Sequence, residues 1–289
     1  MGGQRDVPFV LFQRTSRGQK VRPAVLKNQQ GVNENMEQWE KALHAFLEEW
    51  KKREEVIGAI VCGSYVTGNP SPHSDIDVHI ILSDEVNWRT RGNVVVDNYL
   101  IEYFVNPPKQ IKKYFEEDYK DLRPHSMVQF LTGKVIFDKY DEIKKLKDEA
   151  KGWMNKEPNA LNDVALELMK YNLWDLMDNL SDCYEQDRED FDFVYYNSLR
   201  VLYEEYARYL RTDIIPFYQV FRYMSDPHFL EKYLAKSFPD TNFREKFLPC
   251  LKDRENASKM KMYKDLTEYV LDQMGGFTID GWKIQSLVD

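Results

Sequence analysis

This chain of 289 residues has few cysteines, no long apolar run and no excess of positive charge. The three cysteines, at positions 62, 183 and 250, are too few for a disulfide framework and share no metal-ligand spacing, which predicts a reducing cytoplasm. No apolar run reaches the ~18 residues of a membrane span, so we expect no membrane-spanning helix. The formal net charge of −8 argues against a nucleic-acid backbone as the main partner.

What the chain does contain fits a globular protein, with 43% hydrophobic and 14% aromatic residues. Its length is enough for one large domain or two modest ones. Residues 1–150 carry 22 Lys and Arg against 23 Asp and Glu, a net of −1, whereas residues 151–289 carry 18 against 25, a net of −7. This uneven charge is a first indication of two modules.

Hydrophobic periodicity divides the chain into three parts. Residues 1–35 lack sustained periodicity and predict a loosely ordered N-terminal arm, with one short strand at 7–12. Residues 36–156 mix helical stripes with short apolar runs, and residues 157–289 show helical stripes alone. The fold class predicted is therefore α+β, a mixed-sheet domain followed by an all-α helical bundle.

The individual elements follow from the same periodicity and from the turn residues between them. The predicted strands are 56–62, 75–82, 94–96, 99–105 and 135–138. The predicted helices are 36–53, 107–118, 126–132, 141–154, 160–186, 192–211, 215–225, 228–237 and 255–274.

The pattern that indicates chemistry is Gly63-Ser64 followed, after ten residues, by Asp75-Ile76-Asp77. Alternate residues of a strand project to one side, which places the two aspartates on one face about 7 Å apart. Two carboxylates on a largely apolar strand repel each other and are costly to bury, and a Mg²⁺ ion removes that cost. Glycine allows a phosphate to approach the backbone, and the serine hydroxyl can donate to a phosphate oxygen.

This pattern of a strand, Gly-Ser, a ten-residue gap and Asp-hydrophobic-Asp-hydrophobic resembles the signature of the DNA polymerase beta-like nucleotidyltransferase superfamily. The resemblance covers residues of about 56–140. The helical part at 150–289 is similar in plan to the kanamycin-type small-molecule nucleotidyltransferases. The resemblance therefore implies a nucleotidyltransferase domain within residues 36–156 and a substrate domain within residues 157–289.

The resemblance also implies a set of functional residues. Those implied are Gly63 and Ser64 for the nucleotide phosphates, and Asp75, Asp77 and Glu102 as the catalytic residues that bind two Mg²⁺ ions. Many relatives carry a basic residue just before the loop glycine, where this chain has Thr67, so a Lys or Arg elsewhere must hold the triphosphate. Glu204 and Glu205 are candidate general bases in the helical part.

The activity implied is Mg²⁺-dependent transfer of a nucleoside monophosphate, AMP from ATP or the equivalent from another NTP. The acceptor would be a hydroxyl of a small molecule, for which an aminoglycoside-like antibiotic is one candidate, and pyrophosphate would leave. Many relatives act as dimers, which makes a homodimer the state implied by analogy. Two alternatives stay open: terminal addition of nucleotides to RNA, which would need a basic groove, and a non-catalytic nucleotide-binding regulator.

Two further features have simpler interpretations. Residues 175–192 hold eight acidic residues and one basic residue, and they include a stripe at Asp175, Asp178, Asp182 and Glu185. Such a stripe would suit a polycationic acceptor, but we favour a solvated helix face. His79, two residues after Asp77, is expected to be a half-buried structural histidine rather than a catalytic one.

Overall fold

The structure is a computed structural model that describes residues 36–68 and 70–285. The N-terminal arm and the strand expected at 7–12 lie outside the described residues. None of the helices within the described ranges is both long and apolar enough to cross a membrane.

A five-stranded mixed sheet forms the framework of the first part of the chain. Its strands are β1 (Val56–Cys62), β2 (Ile76–Leu82), β3 (Thr90–Val96), β4 (Tyr99–Asn106) and β5 (Lys134–Asp138). They lie in the order β3-β4-β2-β1-β5, with β2 and β4 parallel and the other pairs antiparallel. The central strands β1 and β2 are almost entirely buried, as their continuous apolar runs predict.

Helices cover both faces of this sheet. These are α1 (Gln38–Lys51), the short α2 (Ser64–Thr67), α3 (Pro108–Asp121), α4 (His125–Thr132) and α5 (Glu142–Met154). The apolar stripe of α1 packs on one face, and α3, α4 and α5 pack on the other. We call residues 36–154 the sheet region.

The rest of the chain is helical. It contains α6 (Asp163–Glu185), α7 (Phe191–Tyr209), α8 (Val220–Ser225), α9 (Pro227–Lys232), α10 (Thr241–Cys250) and α11 (Asn256–Gln273). These helices enclose a separate aromatic-rich core. We call residues 163–285 the helical region. The prediction of a mixed α/β part followed by a helical part is confirmed.

Helix α10 was absent from the sequence prediction. The side chain of Asp240 accepts a hydrogen bond from the Phe243 N–H and caps the helix, while Phe243 and Phe247 are buried. The helix has only ten residues and contains Pro249, which in a sequence usually indicates a helix boundary. Its stability therefore comes from packing that local periodicity does not reveal.

Several polar contacts connect the two regions on one side of the molecule. The Ile214 N–H donates to the Leu122 carbonyl at 2.7 Å. Arg123 pairs with Glu204 at 3.1 Å. The Lys232 ammonium donates to the Gly68 carbonyl at 2.8 Å. This last contact brings the end of α9 onto the loop that follows β1.

Candidate active site

Strands β2 and β4 position the acidic residues. Asp77 of β2 lies directly opposite Glu102 of β4 in the parallel register. Asp75 immediately precedes β2, after a turn in which the Ser74 N–H donates to the Ser71 carbonyl at 3.0 Å. Neighbouring strands and one short turn thus bring Glu102 to two aspartates that lie 25 and 27 positions before it in the sequence.

The structure brings the three predicted carboxylates to one place. One oxygen each from Asp75, Asp77 and Glu102 lies within 4.8 Å of the others, and all three side chains are half-buried. Three carboxylate oxygens that converge in this way make a donor set of the kind that Mg²⁺ and similar hard cations prefer. The residues present therefore fit a divalent cation.

The electrostatics of Asp77 support the same interpretation. Burial raises the pKa of Asp77 to about 7, and the negative charges of Asp75 and Glu102 contribute to the rise. The nearby guanidinium of Arg91 acts in the opposite direction. A carboxyl group with so high a pKa lacks enough positive charge around it, which is what a bound cation would supply.

Arg91 is a part of the site that the sequence did not indicate. Its Nε and one terminal nitrogen donate to the same Glu102 oxygen at 2.9 and 2.6 Å, and its guanidinium lies 4.8 Å from the centre of the Phe104 ring. The side chain is 69% exposed, so it is anchored at its tip rather than buried. Without the β3–β4 register, nothing in the sequence connects Arg91 to Glu102.

Gly63 lies at the corner between β1 and α2. Its φ of +77° and ψ of −161° belong to a backbone region that is almost exclusive to glycine. A Cβ at this position would overlap the carboxylate of Asp77. Ser64, the first residue of α2, follows directly and is half-buried. The predicted phosphate-binding pair therefore adjoins the carboxylates.

The end of α9 supplies positive charge next to Gly68, which caps the C-terminal end of α2. Burial lowers the pKa of Lys232, and the charge of Arg222 lowers it further. The Lys232 ammonium donates to the Gly68 carbonyl at 2.8 Å, so a cation lies at the end of α2 that is opposite to Gly63. The sequence suggested that such a cation was needed but did not identify it.

Other residues considered from the sequence have different environments. His79 is buried, stacks on Phe104 with ring centres 4.9 Å apart, and shares a hydrogen bond of 3.1 Å with the side chain of Gln129. Burial lowers its pKa to about 4, so it is a neutral core residue. It is more deeply buried than the half-buried position we expected.

The two candidate general bases also differ from each other. Glu204 is held by Arg123 at 3.1 Å and by Arg200 at 3.0 Å, so its carboxylate is already paired with two cations. Burial raises the pKa of Glu205. The acidic stripe on α6 is largely exposed at Asp178, Asp182 and Glu185, as a solvated face would be.

Comparison with known proteins adds an independent line of evidence. Residues 43–153 match the family model of the nucleotidyltransferase domain, which spans β1 to β5 and the five residues predicted to bind phosphate and metal. No curated protein matches the sequence. Among solved structures, the chain is similar to a nucleotidyltransferase-like protein from Exiguobacterium sibiricum 255-15. The identity is 11%, the TM-score is 0.44, and the match covers 81% of this chain and 75% of that one.

The family-model match lies over the same strands that carry the carboxylates. Residues 43–153 therefore form a nucleotidyltransferase domain, and this domain supports a nucleotidyltransferase enzyme.

Proposed function

We propose that the protein transfers a nucleoside monophosphate from a nucleoside triphosphate, ATP in the simplest case, to a hydroxyl of a small-molecule acceptor. The observation that carries this proposal is the convergence of Asp75, Asp77 and Glu102 within 4.8 Å beside the Gly63 corner. In this assignment all three carboxylates are metal ligands and catalytic residues, and Gly63 with Ser64 holds the nucleotide phosphates.

The chain's own residues explain most of the proposed mechanism. Asp75, Asp77 and Glu102 would hold two Mg²⁺ ions, which supply positive charge that lowers the pKa of the attacking hydroxyl and stabilises the departing phosphate. The backbone at Gly63 leaves room for a phosphate oxygen, and the Ser64 hydroxyl donates to it. The acceptor oxygen forms a bond to the α-phosphorus, the bond from the α-phosphorus to the bridging oxygen breaks, and pyrophosphate leaves as the hydroxyl proton is released.

We assign the triphosphate contact that Thr67 cannot provide to the helical region. Lys232 already points at the Gly68 carbonyl, 2.8 Å away, and Arg222 lies close enough to lower the pKa of its ammonium. The positive charges of Lys232 and Arg222 disfavour each other, and an anion bound near both would offset that repulsion. A triphosphate at that place would bind to both regions at once.

A transfer assay tests the proposal. The full chain is incubated with ATP, Mg²⁺ and a panel of aminoglycosides, lincosamides, neutral phenyl glycosides and small RNAs. Pyrophosphate release and a mass gain of one nucleotide are then measured. We expect the double substitution Asp75→Asn/Asp77→Asn to reduce the rate at least ~100-fold, because the charge that stabilises the transition state is lost.

The control is Asp148→Asn on the exposed face of α5, which should retain the wild-type rate. The proposal is wrong if no acceptor gains mass and no pyrophosphate forms. It is equally wrong if the Asn variants transfer as fast as the control. Transfer to RNA alone would replace the small-molecule acceptor with a nucleic acid.

A further inference from the structure

An open cleft of about 680 Å³ lies against α7 and the segment that follows it. Its walls expose aromatic rings that a folded protein would normally bury. Phe193 is 77% exposed, Phe217 is 68% exposed and Tyr218 is 70% exposed, and Tyr196 adds a fourth ring at 42%. An exposed cluster of rings in a concave surface indicates a binding site rather than a packing defect.

The charged residues of this cleft are already paired with each other or with neighbours. Glu204 is bound by Arg123 at 3.1 Å and by Arg200 at 3.0 Å. Asp192, the other carboxylate of the cleft wall, is held by Lys259 at 2.6 Å. A polycationic ligand would have to break these pairs, so the available binding surface is the aromatic one.

The cleft also has a wall in the sheet region, which carries the carboxylates. Arg123 belongs to the sheet region, just before α4, whereas the rings belong to the helical region, so the cleft opens where the two regions meet. The helical region meets the sheet region again at Gly68, whose carbonyl accepts from Lys232 at 2.8 Å, and Gly68 ends the short helix α2 that begins at the Gly63 corner.

We propose that this cleft is the acceptor subsite, and that it takes an uncharged hydroxyl compound with an aromatic ring. The ring would stack on Phe217, Tyr218 and Phe193, while its hydroxyl extends towards the carboxylates of the sheet region. The inference rests on the proposed function, since it names the acceptor class of the same site. A volume of about 680 Å³ is in the range of small-molecule sites, which often form between domains.

Matched pairs of neutral glycosides test this assignment. Phenyl and methyl β-D-glucopyranoside, and the corresponding galactosides, differ only in the presence of the ring. Binding to the full chain is measured by saturation-transfer NMR and equilibrium dialysis, with Mg²⁺ present and no turnover required. We expect each phenyl compound to bind at least ~10-fold more tightly than its methyl partner.

Substitutions then test whether the phenyl compounds bind in this cleft. Phe217→Ala/Tyr218→Ala should remove the preference for the phenyl compounds. Tyr140→Ala is the matched control, because Tyr140 is also 67% exposed but lies in the sheet region after β5, and it should keep the preference. Both variants lose exposed aromatic rings, so any general effect of ring removal on folding should be the same in the two. Circular dichroism of each variant measures whether its folded structure is retained.

The outcomes separate this inference from the proposed function. Equal binding of phenyl and methyl compounds would overturn the inference, and so would transfer to kanamycin that Phe217→Ala/Tyr218→Ala leaves unchanged. In the second case the proposed function would stand. If sedimentation shows a dimer that this double substitution dissociates, the face is an interface between copies and the inference is wrong. Ring-dependent binding without any nucleotide transfer would show that the cleft binds aromatic rings, but it would refute the proposed function and with it the assignment as an acceptor subsite.

Discussion

Gly63 and Asp77 are in contact so close that the glycine has no space for a side chain. Gly68, five positions later, also lies in a backbone region that favours glycine, with φ of +82° and ψ of 152°, but a Cβ there would meet nothing within 4 Å. A side chain would strain the backbone at either glycine, but only at Gly63 would it also collide with the Asp77 carboxylate. Comparing the two positions therefore distinguishes the effect of backbone strain from the effect of that contact.

This contrast gives a prediction for Gly63→Ala and Gly68→Ala. Both variants should lose about 1–3 kcal/mol of unfolding free energy, because alanine is strained in this backbone region. Gly63→Ala should in addition displace the Asp77 carboxylate and weaken divalent binding. Thermal unfolding and a Mn²⁺ titration measure the two effects. Equal Mn²⁺ affinities in the two variants would show that the close approach does not shape the site.

The raised pKa of Asp77 makes stability depend on pH. Its folded-state pKa of about 7 lies above its ordinary value of 3.8, so the folded protein holds this proton more tightly than the unfolded chain does. The stabilisation is complete below about pH 4 and is lost as the pH rises through about 7.

We therefore expect the metal-free protein to become less stable from pH 5 to pH 8. Asp77→Asn should remove this decline and be more stable than the wild type at pH 8, by on the order of 1–3 kcal/mol. Mg²⁺ should raise the free energy of unfolding of the wild type at pH 8 but should leave that of Asp77→Asn unchanged. Urea unfolding at several pH values measures this, with Asp148→Asn as the exposed control. Identical pH profiles for wild type and Asp77→Asn would contradict the electrostatic interpretation.

At the scale of elements, the sequence predicted the strands better than their contacts. The apolar runs of β1 and β2 and the turn residues after them are local signals, and Gly63, Asp75 and Asp77 all belong to this short segment. Glu102 could be predicted only through the resemblance, because its place opposite Asp77 depends on the parallel register of β2 and β4.

Arg91 and Lys232 could not be predicted for a related reason. Arg91 reaches Glu102 because β3 pairs with β4, and Lys232 reaches Gly68 across 164 positions of sequence. Neither contact leaves a periodic or spacing signal near the residue itself. Such long-range contacts arise from the packing of whole elements, which a single sequence does not specify locally.

The placement of α9 gives a prediction about Lys232. Lys232→Gln should raise the KM for ATP about 10-fold with little change in kcat, because a charged contact to the triphosphate is lost in ground and transition states alike. Lys232→Arg should recover most of the affinity. Lys261→Gln, on the exposed face of α11, is the control. Steady-state kinetics with varied ATP measures the effect. A fall in kcat with unchanged KM would show that Lys232 does not act by holding the nucleotide.

At the scale of the whole molecule, the hydrophobic interior is divided. Two clusters cover the faces of the sheet, and a third, aromatic cluster belongs to the helical region. Leu122 is a member of the third cluster, although it ends α3 of the sheet region. Packing between the regions is therefore localised, and polar contacts such as Arg123 with Glu204 provide much of the connection.

This division predicts two transitions in calorimetry of the metal-free protein, since each region has its own core. Mg²⁺ with a non-hydrolysable ATP analogue should raise both transitions, because the proposed nucleotide site uses carboxylates of one region and Lys232 of the other. At 100 times the dissociation constant the gain is about 2.7 kcal/mol. A single transition, with equal calorimetric and van't Hoff enthalpies, would show that the regions unfold as one unit.

The ion pair between Arg91 and Glu102 has a consequence for the protein when no metal ion is bound. The Arg91 guanidinium is 69% exposed and pairs with Glu102 at 2.6 Å, so it offsets part of the negative charge of the three carboxylates. If these carboxylates bind Mg²⁺ as proposed, binding of the metal would exchange one cation for another. The affinity for the ion would then depend partly on the free energy needed to break the ion pair between Arg91 and Glu102.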